Sequence, residues 1–273
     1  MDNLIFTYSA IVLYFACSAL LFFNLKRTAN KSSTVPGLLS KKQIITMGLA
    51  ALCLHALALS SSMLSPMGID LGFYNAMSLV SAVIVLLILI AEWRYPVDIL
   101  AVMLLPVAAI SMLIDSFNST HHLLPPGSSN ELIFHILSSI IAYSILALAA
   151  LQAILLSIQN KFLHAHHPGG LIKLMPPLST MEILLFEVIV VGFIVLTVSL
   201  ASGLIFLDNM FTQQLAHKTI LSIIAWFVFL TLLIGRWKLG WRGRTAIRWT
   251  LTGFVSLMLA YFGSKFVLEI VLA

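Results

Sequence analysis

The chain has 273 residues, of which 60% are hydrophobic and 9% charged, and its net charge is +5. Soluble domains carry about 25% charged residues, so lipid rather than water is the solvent for most of this sequence. The basic residues sit in short breaks between apolar runs, which points to membrane orientation and away from nucleic-acid binding.

Eight segments are apolar enough to cross about 30 Å of hydrocarbon. They fall near residues 4–25, 43–63, 73–91, 97–115, 131–158, 183–207, 217–235 and 246–271. The expected fold is therefore an all-α, polytopic membrane helix bundle forming a single domain over 1–273, with the lipid bilayer as its first partner. The opening stretch has Asp2 where a secretory signal needs basic residues, and its apolar run is too long for a signal h-region. It is expected to stay as the first span. Cys17 and Cys53 lie inside apolar runs without a C-x-x-C spacing, so both are expected as small buried packing residues.

Of the 15 basic residues, 13 fall in alternate connections. Lys26, Arg27, Lys31, Lys41 and Lys42 lie between spans one and two, Arg94 between three and four, and Lys161 and Lys173 between five and six. Arg236, Lys238, Arg242, Arg244 and Arg248 lie between seven and eight. The positive-inside rule then puts both termini outside.

Ionisable groups at membrane depth are costly, and each is a functional candidate. His55, in "ALCLHALAL", is the deepest histidine. It either hydrogen-bonds a neighbouring helix or serves as an axial metal ligand. His135 opens "FHILSSIIAYS", one turn inside span five, and shares a helical face with Ser138, Ser139 and Ala142. A face of such small residues admits either a flat ligand or another helix. His217 stands at the end of span seven beside Lys218, as a cap, an interfacial residue or a ligand. His121 and His122 fall in the loop after span four, as plain loop residues or ligands, and His164, His166 and His167 in a basic loop where solvation is the simpler reading. Neutral imidazoles near one face of the membrane could hold haem iron, with Lys218 and Lys265 positioned to meet propionates. Among carboxylates, Asp70, Asp115, Glu131, Asp208 and Glu269 fall near that same face, and Glu187 is expected to be the one embedded in a span. They are too few for a proton relay or an ion path.

The segment "FHILSSIIAYSILALAALQAILL" is similar to the H-[IV]-x-x-S-x-x-x-Y helix of the cytochrome c assembly family, whose members include CcsA and HemX. "GRWKLGWRGR" and "YFG" resemble the last two helices of that family, and the similarity spans nearly the whole chain. The resemblance implies a bacterial inner-membrane protein that binds non-covalent, b-type haem toward the outer side, in cytochrome c biogenesis or a related role. It implies His135 as a haem-iron ligand and His55 as a second one, with His217, Lys218 and Trp226 as further cofactor contacts. Partners so implied are haem and other membrane proteins. The W-x-W-D segment that presents haem in CcsA is absent, and the family's histidine on span seven falls at Ile234. That departure argues against haem ligase activity and leaves no catalytic residue to assign. The other reading is a membrane scaffold or regulator that keeps the fold without haem. A small-molecule transporter would need inverted repeats or broken helices, which the sequence does not display.

Overall fold

A computed structural model describes residues 2–29, 39–93, 95–118, 122–164, 174–206, 213–263 and 266. Among the described residues eight α-helices follow one another: α1 Asp2–Ala29, α2 Lys41–Met63, α3 Phe73–Ala91, α4 Asp98–Phe117, α5 Asn130–His164, α6 Leu178–Phe206, α7 Gln213–Leu239 and α8 Arg244–Met258. The last continues as a π-helical turn over Leu259–Gly263. Among the described residues seven helices are long and apolar enough to cross a membrane. The fold is an all-α polytopic bundle. The eighth segment, expected to run to residue 271, carries 15 residues of regular helix before the π turn, and most of its remainder lies outside the described residues. Helix α5, at 35 residues, is longer than expected by a turn or more at its C-terminal end. At 1.5 Å per residue it is about 52 Å long, which exceeds the hydrocarbon thickness and carries Lys161 and His164 beyond the apolar stretch.

The chain divides into two compact units. The first comprises residues 1–126 and 168–176. Here α1 packs along α2 and α4, and α3 packs along α2 and α4. Between membrane helices, where lipid is as apolar as the side chains, close packing and interhelical hydrogen bonds supply the cohesion. Ser18 donates to the Val102 carbonyl at 2.7 Å, joining α1 to α4. The Ser81 and Ser111 hydroxyls meet at 2.7 Å, joining α3 to α4. Helix α2 opens on a capping box in which Ser40 and Gln43 satisfy each other's backbone N–H groups. Cys17 is buried as expected, whereas Cys53 is exposed on α2. It lies two residues before the buried His55, on the other side of the helix.

At one end of this unit, among the described residues, three short strands form an antiparallel sheet across connections whose sequence carries no strand pattern. They are β1 Leu64–Ser65, β2 Gly68–Asp70 and β3 Leu123–Leu124, in the order β1-β2-β3. Gly68 has φ 126°, and a Cβ there would collide with the Leu124 carbonyl oxygen, so glycine is required both by backbone conformation and by strand pairing. One Asp70 carboxylate oxygen accepts the backbone N–H of Gly72 at 3.0 Å and of His122 at 2.9 Å. It thereby ties the α2–α3 connection to the α4–α5 connection. At the opposite helix ends Lys41 bridges Glu92 at 2.7 Å and Asp98 at 2.9 Å.

The second unit comprises residues 127–167 and 177–273. Its most extensive contact is α5 against α6, with α8 against both α5 and α7. Gly192 lets these backbones approach: a Cβ there would stand 2.6 Å from a Leu146 methyl. Gly253 of α8 likewise accommodates the Phe229 ring of α7, at 2.8 Å from a built Cβ. At the basic end, the Trp241 ring lies over Gly235 and stacks on Trp249 with centroids 5.4 Å apart. Below it Glu182, on α6 and buried, receives Arg236 and Arg242, each at 3.3 Å. Arg236 also donates to the Trp241 carbonyl at 3.2 Å and lies 4.5 Å above the Phe186 ring. Within α6 Glu182 is thus the carboxylate buried against protein, whereas Glu187, expected as the one embedded in a span, is exposed on the same helix.

Candidate functional site

The second unit contains a cavity of about 280 Å³ whose wall is mostly apolar. Leu132, Ile136, Leu196, Leu200 and Leu257 provide the apolar surface, and His135, Lys218 and Tyr261 are among its polar members. His135 enters it from the first turns of α5. Its Nδ1 lies 2.9 Å from the Ser199 carbonyl oxygen and 3.2 Å from the Ser202 hydroxyl, both on α6. A carbonyl oxygen only accepts, so Nδ1 carries the proton. The neutral imidazole then presents its lone pair on Nε2, for which no hydrogen bond is formed with a described residue. A backbone carbonyl on one ring nitrogen is the arrangement that orients a metal-binding histidine.

Serine hydroxyls hold this geometry. Ser138 and Ser139 donate back to the His135 carbonyl at 3.0 and 2.7 Å. Ser139 has thereby used its only proton, so the Ser199 hydroxyl donates in the 2.6 Å contact between the two serines. Ser202 donates to the Ser199 carbonyl at 2.8 Å. On the small face of α5, Ser138 and Ala142 are buried, and Ser139 both contacts α6 and reaches the cavity wall.

Lys218 also lines the cavity, next to Thr219. Trp226, one of the expected contacts, is placed elsewhere. Its indole N–H donates to Thr197 at 2.8 Å and its ring stacks on Phe193 at 5.4 Å, so it braces α7 against α6. His217 belongs to α7, and its side chain lies outside the described residues, as do His121, His166, His167 and Lys265. Tyr143, the tyrosine of the H-[IV]-x-x-S-x-x-x-Y pattern, and Tyr261 both line the cavity, their rings 5.7 Å apart, although neither is assigned a role from the sequence. The "YFG" resemblance was the one sequence signal pointing to Tyr261.

His55 belongs to the first unit and is fully buried. Its Nδ1 meets the Tyr14 hydroxyl at 3.2 Å and its Nε2 the Ser78 hydroxyl at 3.0 Å. Both ring nitrogens are therefore in use, one as donor and one as acceptor, and the residue links α1, α2 and α3. Among the described residues no group of three or more His, Cys, Asp or Glu side chains is arranged to hold a metal ion.

Seven membrane-length helices and a histidine aimed into an apolar cavity define a polytopic membrane protein built around helix-borne polar sites. The chain belongs to the cytochrome c assembly protein family, whose model matches residues 43–272. It is a multi-pass inner-membrane protein. It is similar to the inner membrane protein YpjD of Escherichia coli K12, with 32% identity over 249 residues, covering 87% of this chain and 92% of that protein. Shorter similarities reach the cytochrome c biogenesis protein CcsA. That of Chlamydomonas reinhardtii is 27% identical over 149 residues, 54% of this chain and 41% of that protein. That of Gloeobacter violaceus is 29% identical over 93 residues, 33% of this chain and 28% of that protein. No solved structure matches the chain.

Proposed function

We propose that the cavity of the second unit binds haem through His135 Nε2 and that the protein handles haem on the outer side of the bacterial inner membrane, in cytochrome c assembly or a related role. The observation that carries this reading is the His135 ring, whose Nδ1–H is held by the Ser199 carbonyl while Nε2 is left for a ligand. The residues fit such a group. A neutral imidazole would supply a ligand to the iron, the leucine wall would suit a porphyrin face, and Lys218 in the lining would suit a propionate. The bound iron would supply redox or ligand-exchange chemistry, and the protein's part is to bind and orient it. At about 280 Å³ the cavity is just below the usual range for drug-sized ligands, so a porphyrin seats there only with the walls displaced.

His55 is left out of the ligand set in this reading, because both of its nitrogens already have partners. The missing W-x-W-D segment argues for holding or passing haem and against joining it to apocytochrome.

The test is the absorption spectrum of detergent-purified protein expressed with ample haem. Wild type is expected to carry a Soret band, His135→Ala to lose it, and His55→Ala to keep it. A wild-type spectrum without haem would favour the scaffold reading instead, and a Soret band unchanged in His135→Ala would remove His135 as the ligand.

A further inference from the structure

The cavity of the second unit is lined along α5 by His135, Ser139 and Tyr143, at i, i+4 and i+8 on one ridge of the helix. Tyr143 thus stands about 12 Å further along α5 than His135. From α7 come Lys218 and, one turn later, Ser222.

The hydroxyls of Tyr143 and Ser222 differ from the others around them. A serine within a helix can return its proton to a carbonyl one turn back, and Ser138, Ser139, Ser144 and Ser202 all do so, at 3.0, 2.7, 2.8 and 2.8 Å. Ser222 does not, and forms no hydrogen bond with a described residue. A buried tyrosine likewise usually finds a partner for its O–H. Tyr143 is only 9% exposed, yet its hydroxyl too has no hydrogen bond with a described residue. Its ring is held in place by Phe254, Phe262 and Tyr261, at centroid distances of 5.4, 5.3 and 5.7 Å. The Tyr143 oxygen is not sealed inside the protein, so it opens on the cavity that the residue lines.

An O–H left unpaired inside a membrane bundle is a cost unless a guest brings the acceptor. Here two such protons and the Lys218 side chain meet one cavity, whose lining among the described residues includes no carboxylate. The matching guest has negatively charged oxygens on an apolar body, because a carboxylate enters an apolar site only when it is hydrogen-bonded and its charge is met.

We propose that Tyr143 and Ser222, together with Lys218, are positioning residues that receive the carboxylates of a porphyrin. This rests on the haem reading of the same cavity and adds a second point of attachment to it. The iron is held at His135 and the acidic edge at the two hydroxyls, which fixes the orientation of the guest and selects porphyrins with free carboxylates.

The test titrates the full chain in detergent, freed of bound haem, with iron protoporphyrin IX, with its dimethyl ester and with metal-free protoporphyrin IX, followed by absorption and by quenching of tryptophan fluorescence. Tyr143→Phe and Ser222→Ala each remove a hydroxyl that has no protein partner, so both should keep the wild-type unfolding temperature when no ligand is present. Together they should weaken binding of iron protoporphyrin by at least about tenfold, while the Soret maximum stays at its wild-type position because His135 still holds the iron. Wild type should bind the ester more weakly than the free acid, and the double variant should lower the affinity for the ester by less than about threefold. Metal-free protoporphyrin, which cannot bond His135, should bind His135→Ala as it binds wild type and should lose affinity in the double variant. Iron protoporphyrin bound equally by wild type and the double variant overturns the proposal and leaves the haem reading standing, as does wild type binding the ester as tightly as the acid. Metal-free protoporphyrin bound through the hydroxyls, with the iron form giving the same spectrum in wild type and His135→Ala, removes His135 as the iron ligand and keeps the carboxylate site. No binding of any of the three removes both.

Discussion

Glu182 offers the sharpest test of how the basic end of the second unit is held. Its carboxylate is 7% exposed and receives Arg236, itself 26% exposed, and Arg242, which is 64% exposed, each at 3.3 Å. Breaking a fully buried pair by deleting one partner costs about 3–5 kcal/mol, whereas exposed pairs contribute about 0–1 kcal/mol. Arg236 lies between these limits and keeps its bond to the Trp241 carbonyl and its place over Phe186. Arg242 adds little because solvent screens it. Glu182→Ala should therefore cost about 1–2 kcal/mol, or roughly 3–8 °C in unfolding temperature for a unit of this size. Unfolding in detergent, followed by the fluorescence of Trp241 and Trp249, gives the measurement. A double-mutant cycle with Arg236→Met isolates the pair. If the two substitutions simply add, with no coupling above about 0.3 kcal/mol, the carboxylate is not held by Arg236 and the reasoning fails. If Arg242→Met proves as costly as Arg236→Met, the discount for exposure is wrong.

Two further outcomes follow from packing and charge. Gly192→Val should destabilise the α5–α6 contact by about 1–3 kcal/mol, because its Cβ would meet Leu146 at 2.6 Å and Ile145 at 3.1 Å; a companion Leu146→Ala should recover part of the loss, and no recovery would locate the clash elsewhere. Glu92 has its carboxyl pushed up by burial, against which the Lys41 bond and charge pull down, while the Asp98 charge adds to the rise. The native state thus binds its proton more tightly than the unfolded chain does, so stability is greatest below the ordinary glutamate value and declines as pH rises through the native one. Glu92→Gln should flatten that decline in a series of unfolding measurements from pH 4 to 8, and a slope unchanged from wild type would show that Glu92 is not its source.

How far the site was legible varies residue by residue. His135 was visible because an imidazole in an apolar helix stands out, and the family resemblance pointed to the same residue. Its tautomer was not visible, since that depends on the carbonyl of Ser199, 64 residues away. The face of Ser138, Ser139 and Ala142 was read correctly as a place of close approach, but the i, i+3, i+4 spacing holds equally for a helix or a flat ligand. Only the structure shows that Ser139 of this face meets Ser199 of α6. Trp226 looked like a cofactor contact from its neighbourhood in the sequence and instead braces two helices, because its indole N–H finds Thr197. Span six shows the limit of periodicity. Glu182 and Glu187 both stand in an apolar run, and which one is buried depends on where the arginines of the α7–α8 connection land.

The sequence by itself determined that this is a polytopic helical membrane protein, where most of its helices run, and which family it resembles. Those properties follow from composition and from local hydrophobic patterning, since the bilayer demands apolar segments of a set length whatever their neighbours are. The tertiary structure decided everything that depends on partners distant in the chain. It paired β2 with β3, so that Asp70 secures two connections at once. It gave both nitrogens of His55 to hydroxyls on other helices, and it left one nitrogen of His135 open to a cavity. The two histidines looked alike in sequence because each sits in a similar apolar run; their difference is made by the hydroxyls and carbonyls that neighbouring helices bring to them.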